Sequence, residues 1–306
     1  MSSTLSRVEG ILPRRTTGTL GIISDFYELS KPRIIYLLLV TTAAAMIMAA
    51  RGIPHLSTLL WTLLGGGLAS ASAGAFNCIV DSDIDGLMRR TCARPIPTGR
   101  MSIRNAAIYA VATGVISFAL LIFLVNPLAA WLSLAGNVYY VVIYTMLLKR
   151  ITPLNIVIGG AAGAIPPLVG WAAVTGTIGG PAIALFAIIF LWTPPHFWSL
   201  ALMTEIDYDK AKIPMLPNVS GVARTKFEIL AYSIVLVGAA LAFFYPLHLF
   251  GPIYAAAAAI LGTIFIYGAA RVFTQDGKAW PRWLFKFSLL YLALMCAAMV
   301  IDRIVV

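Results

Sequence analysis

An unusually polar stretch of the chain reads NCIVDSDIDGLMRRTCARP (residues 77–95) and directly follows a long apolar run. It contains three carboxylates and three arginines. If the stretch is helical, Asn77, Asp81 and Asp85 recur at every fourth residue and share one face, while Asp83 points to another. An amide and two carboxylates on one face supply the hard oxygen ligands that Mg²⁺ prefers, so the spacing predicts a magnesium site.

These acidic residues also have a simpler interpretation, in which they end a helix in water and pair with the nearby arginines. The composition argues against it. The 306 residues are 60% hydrophobic and only 11% charged, and the mean hydropathy is +0.90. No soluble domain could bury that much apolar surface, so we expect a membrane protein. An ionisable residue at the mouth of a membrane helix indicates a functional site.

Apolar runs of about 20 residues, the length that crosses a bilayer, occur nine times in the sequence. We place them near 33–50, 57–78, 105–125, 127–148, 153–174, 182–203, 227–245, 252–270 and 283–301. The predicted fold class is therefore all-α, a polytopic membrane protein of about nine transmembrane helices. Spans seven to nine carry no charge within the membrane and are expected to serve as scaffold.

The basic residues predict the orientation of these spans. When the loops alternate sides, all of the 22 Lys and Arg except Arg51 and Arg303 fall on one side. The positive-inside rule makes that side cytoplasmic, with the N-terminus inside and the C-terminus outside. The net charge of +10 follows from this topology, so we expect a multi-pass protein of the plasma membrane and no nucleic-acid partner. Residues 1–24 are predicted to form a flexible cytoplasmic tail, and residues 25–306 a single domain.

A second acidic cluster follows span six, and it contains Glu205, Asp207 and Asp209. Asp81 and Asp207 both lie at the cytoplasmic ends of even-numbered spans, and each cluster precedes a basic loop that contains proline. This arrangement predicts one pocket in which a metal ion and cations stabilise a departing diphosphate. Aromatic and apolar walls would then shelter a prenyl carbocation.

Several longer motifs occur in an order that is typical of one enzyme family. They are segment 77–95, segment 148–160, the prolines at 166–167 with Gly170 and Trp171, segment 192–198 (WTPPHFW) and segment 207–217. Over about residues 25–300 the chain resembles the UbiA-type intramembrane prenyltransferases, and within them the branch that modifies haem. The resemblance implies nine helices around a central cavity that opens to the cytoplasmic side. It also implies Mg²⁺ as cofactor and farnesyl diphosphate and haem b as substrates, giving haem O for haem A biosynthesis.

The resemblance also implies roles for individual residues of this chain. The catalytic carboxylates implied are Asp81, Asp85 and Asp207, and the same residues with Asn77 would bind the metal. Contacts to the diphosphate are implied for Arg90, Arg94, Lys149 and Lys212, and contacts to haem for His196, Tyr144, Trp198 and Arg150. The basic residues among them also fit a purely topological role, and His196 also fits a hydrogen bond to backbone freed by the prolines.

Two questions stay open at this point. Position 203 is Met where the family has an acidic partner for Asp207, so Glu205 and Asp209 are alternative ligands for a second ion. The prenyl acceptor could instead be an aromatic quinone precursor. The protein could also be a transporter or an assembly factor, which the prolines of spans five and six would fit as well.

The expected partners are the two substrates and the lipid bilayer. A downstream haem-modifying membrane enzyme is a further candidate partner.

Overall fold

The computed structural model describes residues 18–306, which form twelve α-helices and one π-helical segment. In chain order the helices are α1 (Thr19–Leu29), α2 (Pro32–Ala50), α3 (Leu56–Val80), α4 (Ser82–Asp85), α5 (Ile103–Leu124), α6 (Pro127–Val138), α7 (Asn155–Thr175), α8 (Gly180–Met203), α9 (Glu205–Lys210), α10 (Leu216–Ala242), α11 (Pro252–Thr274) and α12 (Ala279–Val305). The π-helical segment Tyr139–Leu148 continues α6 without a break.

Nine helices within residues 18–306 are long and apolar enough to cross a membrane. They are α2, α3, α5, α6 with its π-helical extension, α7, α8, α10, α11 and α12, and we number them spans one to nine. The prediction of an all-α, nine-span membrane protein is therefore confirmed. Span seven differs most from its predicted bounds, because α10 begins at Leu216 and turns at Gly221, whose φ of 79° lies in the left-handed region.

The spans form a ring. Each one packs against the next along the chain, and span nine returns to contact span one. Spans one and five also pack against each other across the ring, as do spans six and nine. Spans one, five and nine begin at one end of this ring, and spans two, four and six end there. We call it the basic end, because it carries all of the lysines and arginines within residues 18–306 except Arg51 and Arg303.

Helix α1 precedes span one at the basic end. Residues 1–17 of the predicted tail lie outside the described residues, whereas Thr19–Ser24 already belong to this helix. Leu20, Ile23 and Tyr27 are exposed along one side. On its other side Arg100 donates hydrogen bonds to Asp25 at 2.6 Å and Glu28 at 2.9 Å, which fixes α1 against the loop after span two.

Spans five and six each continue through a pair of prolines. Helix α7 is continuous through Pro166 and Pro167, and α8 is continuous through Pro194 and Pro195. Proline lacks the N–H that would bond to the carbonyl four residues earlier. In α7 those carbonyls belong to Ala162 and Gly163, which line the central cavity, where unpaired backbone is tolerated.

Spans one and five approach each other closely at Gly170. A methyl group at this position would lie 2.3 Å from the backbone oxygen of Thr42, closer than atoms can pack. By contrast, a methyl group at Gly163 on the same helix would have no neighbouring atom within 4 Å. The absence of a side chain at Gly170 therefore sets the distance between the two spans.

Gly170→Ala is expected to lower the free energy of unfolding by about 1–3 kcal/mol, because the added methyl group must push spans one and five apart. Gly163→Ala on the same helix is the matched control and should be neutral or slightly stabilising. Thermal unfolding of both variants in the same detergent measures the difference. Equal stability of the two variants would contradict the close approach.

Candidate active site

A cavity of about 770 Å³ lies inside the ring. Among the described residues its wall comes from spans one, two, four, five, six and nine and from the connecting segments at the basic end, whereas spans three, seven and eight contribute nothing. Span nine is therefore more than scaffold, because Phe285, Leu289 and Leu292 are part of the wall. Thr42 and Pro166 also line the wall. At a rise of 1.5 Å per helical residue, they lie roughly 15 Å from the basic end.

Asp81 and Asp85 lie in this wall with no exposed surface. Helix α3 ends at Val80, yet the backbone N–H of Asp81 bonds to the carbonyl of Asn77, and that of Asp85 to the carbonyl of Asp81 at 2.8 Å. This i to i−4 pattern keeps all three residues on one face, as the spacing predicted. Asp83, half a turn away, is exposed.

Each buried carboxylate is paired with a cation from another segment. Lys149, just after span four, donates a hydrogen bond to Asp81 Oδ2 at 2.5 Å. Arg94, in the loop after α4, donates to Asp85 Oδ2 at 2.6 Å. The other oxygens, Asp81 Oδ1 and Asp85 Oδ1, are buried and accept no hydrogen bond from the described residues. Pairing with arginine was the simpler interpretation of the sequence, but here the pairs are inside the cavity rather than in water.

Asn77 is held from both sides. Its Nδ2 donates to Thr145 Oγ1 at 3.1 Å, and its Oδ1 accepts a hydrogen bond from Lys31 Nζ. Thr145 in turn donates to the carbonyl of Tyr140 at 2.9 Å. Burial lowers the pKa of the Lys31 amine to about 8, and the nearby positive charges act in the same direction. An anion in the cavity would therefore favour the charged amine.

The π-helical segment brings two tyrosines into the wall. Tyr140 and Tyr144 line the cavity with ring centroids 5.4 Å apart. A methyl group at Gly159 of span five would lie 2.2 Å from the Tyr144 ring, so this glycine makes room for it. π-Helical turns inside α-helices are frequently found at functional sites. These tyrosines therefore belong to the cavity rather than to a belt at the membrane interface.

His196 lies deeper in the cavity wall. Its ring stacks between Trp192 at 4.3 Å and Phe285 at 4.6 Å. Its Nδ1 is 2.7 Å from Ser288 Oγ, and the Ser288 hydroxyl donates to the carbonyl of Phe285 at 2.8 Å. The contact with Ser288 uses Nδ1, so Nε2 is the ring nitrogen that stays available to another ligand. The partner of His196 is this serine and not backbone freed by the prolines.

Four of the predicted site residues are placed outside the cavity wall. Arg150 binds Asp83 at 2.7 Å and the carbonyl of Val80, which ends helix α3. Trp198 is packed in the core beside spans seven and nine. Lys212 is exposed, and Asp207 also lies outside the wall, although its neighbour Tyr208 lines it.

The position of Asp207 corrects the prediction that its side chain converges with Asp81. One residue of helical rotation turns neighbouring side chains about 100° apart, so α9 presents Tyr208 to the cavity instead. Within residues 18–306 no three His, Cys, Asp or Glu side chains lie close enough together to hold a metal ion unaided. The acidic part of the site consists of Asp81 and Asp85.

These two residues nevertheless fit a magnesium ion that also binds a ligand. Mg²⁺ is usually held by one or two carboxylates together with substrate phosphates and water. Asp81 Oδ1 and Asp85 Oδ1 are buried acceptors that receive no hydrogen bond from the described part of the chain. Five cations, Lys31, Arg33, Arg90, Arg94 and Lys149, line the cavity with them. They outnumber the two carboxylates, so the site favours an anionic ligand.

Sequence reasoning missed Lys31, Tyr140 and Tyr208. Lys31 had been assigned only to the positive-inside pattern, and its position directly before the first proline of a span was the available signal. Tyr140 could have been found from its spacing of four residues to Tyr144. Nothing in the sequence distinguishes Tyr208 from its acidic neighbours.

Comparisons with known proteins agree with this architecture. Residues 38–290 match the UbiA prenyltransferase family. A protein of Synechocystis sp. described as protoheme IX farnesyltransferase is 54% identical over 285 residues, which cover 93% of this chain and 90% of that protein. A protein of Gloeobacter violaceus with the same description is 53% identical over 301 residues, covering 98% and 97%.

Solved structures show the same fold at low identity. A digeranylgeranylglyceryl phosphate synthase superposes with a TM-score of 0.78 at 18% identity, covering 93% of this chain and 99% of that one. A UbiA homolog from Archaeoglobus fulgidus, bound to DMAPP and Mg²⁺, superposes with a TM-score of 0.68 at 19% identity, covering 92% and 100%.

Removing the cation of one buried pair should destabilise the protein. Arg94→Met leaves the Asp85 carboxylate buried and unpaired, and we expect a loss of about 3 kcal/mol. Arg89→Met is the matched control, because Arg89 is exposed in the same loop. Adding Asp85→Asn to Arg94→Met should restore most of the loss, since the buried charge is then gone. Chemical unfolding in detergent tests this, and a double variant no more stable than Arg94→Met would refute it.

Proposed function

The chain belongs to the UbiA prenyltransferase family, and from that premise we propose that it transfers the farnesyl group of farnesyl diphosphate to a vinyl group of haem b. Diphosphate leaves, and a water molecule adds its hydroxyl group to the vinyl carbon next to the porphyrin ring and loses a proton, giving haem O. The enzyme class follows from the family match over residues 38–290. The two substrates are proposed because relatives more than 50% identical over most of the chain are described as protoheme IX farnesyltransferases.

The observation that best supports this reaction is the polarity of the cavity. Its basic end carries two buried carboxylates and five cations, and its deeper wall is apolar and aromatic. A prenyl diphosphate has the same distribution, with a charged head and a long hydrocarbon tail. A single cavity of about 770 Å³ lies within the usual size range of ligand pockets.

We propose that Asn77, Asp81 and Asp85 hold Mg²⁺ at the diphosphate. When bound, the ion would neutralise charge on the diphosphate oxygens as the allylic C–O bond breaks. Arg90, Arg94 and Lys149 would contact the same oxygens, so the negative charge that develops on the leaving group meets positive charge already in place. Asp207 and Lys212, outside the wall, are proposed only as residues near the entrance.

The tyrosines and deeper aromatic residues are proposed to protect the allylic cation. Tyr140, Tyr144 and Trp192 present aromatic rings to the cavity, and the faces of such rings attract a cation. Because the surrounding wall is apolar, water is kept from the cation before the acceptor reaches it. The neighbouring Gly159 leaves the space in which the Tyr144 ring lies.

His196 is proposed to contact haem. Its Nε2 stays available to another ligand, its ring is fixed by stacking between Trp192 and Phe285, and it lies in the wall beyond the charged end. A neutral imidazole held in this way is a suitable axial ligand for haem iron. Arg150 and Trp198 are not in the cavity wall, so they are not part of this contact.

We further propose that the basic end faces the cytoplasm of a plasma-membrane protein, with the described C-terminus on the other side. The support is the distribution of Lys and Arg. Within residues 18–306 all of them except Arg51 and Arg303 lie at one end of the ring. Both substrates would then enter from the cytoplasmic leaflet, and residues 25–306 would act as a single domain.

Loss of one buried carboxylate should abolish the reaction. Asp81→Asn or Asp85→Asn is expected to lower haem O formation about 100-fold or more, because metal and diphosphate lose a charged oxygen ligand. Asp83→Asn, at an exposed position in the same helical turn, is the matched control. Chromatography after incubating membranes with haem b, farnesyl diphosphate and Mg²⁺ measures the product. Undiminished turnover of the first two variants would favour a different function, and a prenylated aromatic acid in place of haem O would identify another acceptor.

The proposed haem contact has a spectroscopic test. Addition of haem to the purified protein should give a Soret band that shifts in His196→Ala, because a nitrogen ligand is lost from the iron. His248→Ala, outside the cavity wall, should leave the band unchanged. If the spectrum of His196→Ala equals that of the unaltered protein, axial ligation by His196 is wrong.

A further inference from the structure

Lys31 has a strained backbone at the junction between α1 and span one. Its φ of 56° and ψ of 58° are left-handed values, which are uncommon for a residue that carries a side chain. Such strain persists only where the surrounding structure holds it in place, and it often marks a functional position. The side chain of Lys31 lines the cavity and reaches Asn77, 46 residues further along the chain.

The amide of Asn77 has a fixed orientation. The Thr145 hydroxyl gives its proton to the carbonyl of Tyr140, so it can only accept from Asn77 Nδ2. Asn77 Oδ1 therefore has to point toward Lys31. A metal ion and an ammonium group at one amide oxygen repel each other, so Asn77 can bind a metal ion only after Lys31 has moved.

All three proposed metal ligands have a basic partner in this structure. Lys149 binds Asp81, Arg94 binds Asp85, and Lys31 binds Asn77. Lys31 differs from the other two because its partner is neutral. A phosphate oxygen is a stronger partner for an ammonium group than an amide oxygen is. The lysine stem is long and flexible enough to exchange one for the other.

We infer that Lys31 couples the binding of metal to the binding of diphosphate. Without diphosphate it holds Asn77 Oδ1 and disfavours a metal ion at that oxygen. When a metal diphosphate enters, the ammonium group moves to a phosphate oxygen and releases Asn77 to the metal. This inference rests on the proposed function and adds Lys31 as a positioning residue, which makes the metal and the diphosphate bind together rather than separately.

The test measures two affinities that should change in opposite directions. Purified protein in lipid nanodiscs is titrated with Mn²⁺ alone, and separately with Mn²⁺ plus inorganic pyrophosphate, with binding followed by electron paramagnetic resonance. In Lys31→Met, Mn²⁺ alone should bind about 10-fold more tightly, because a competing cation is gone. Mn²⁺ with pyrophosphate should bind about 10-fold more weakly, because one charge-assisted hydrogen bond is lost.

Arg51→Met is the matched control. Arg51 has the same left-handed backbone, with a φ of 49°, but lies at the opposite end of the ring. The Arg51→Met variant should bind Mn²⁺ alone, and Mn²⁺ with pyrophosphate, as tightly as the unaltered protein does. A purely structural role for Lys31 would weaken both ligands in Lys31→Met and would overturn the inference, as would an unchanged affinity for Mn²⁺ alone. If the unaltered protein binds Mn²⁺ under neither condition, the metal-dependent function fails and the coupling fails with it.

A second measurement needs no variant. In the unaltered protein, labelling of Lys31 by a small amine-reactive reagent is followed by mass spectrometry. Mn²⁺ with pyrophosphate should reduce this labelling at least about fivefold, since the amine is then bound to phosphate. The exposed Lys286 should react equally in both states. Equal labelling of Lys31 with and without the metal pyrophosphate would contradict the exchange.

Discussion

Charge neutralisation inside the membrane protein connects most features of this structure. Asp81 and Asp85 have no exposed surface, and a buried carboxylate without a partner is strongly unfavourable. Lys149 comes from the end of span four, 68 residues after Asp81, and Arg94 from the loop that follows Asp85. The ends of spans two and four and the loop after α4 are therefore brought together at the basic end. This requirement places the charged part of the cavity wall at that end.

The pairing with Lys149 and Arg94 involves mainly one oxygen of each carboxylate. Lys149 and Arg94 each bind one oxygen of their carboxylate, and the other oxygen, Oδ1, is buried and accepts no hydrogen bond from the described residues. The proposed metal diphosphate would supply positive charge for these oxygens and negative charge for the surplus cations. The stability of the site and its affinity for a charged ligand thus depend on the same few side chains, including Lys31.

The spans divide into those that line the cavity and those that only support them. Spans one and five approach at Gly170, and the π-helical segment of span four presents Tyr140 and Tyr144. Span nine contributes Phe285, and its Ser288 is hydrogen-bonded to Nδ1 of His196. Spans three, seven and eight do not reach the cavity in the described residues, which fits packing and contact with lipid.

Length and local spacing in the sequence were enough to predict nine spans and the shared face of Asn77, Asp81 and Asp85. Both follow from the geometry of a single helix, in which hydrophobic length and a repeat of four residues are local properties. Arg94, the partner of Asp85, is only nine residues away and belongs to the nearby arginines that the sequence offered. The partners of Asn77 and Asp81 are 46 and 68 residues away, so only the tertiary structure decided them. It paired Lys31 with Asn77, gave His196 a serine from span nine, and turned Tyr208 rather than Asp207 toward the cavity.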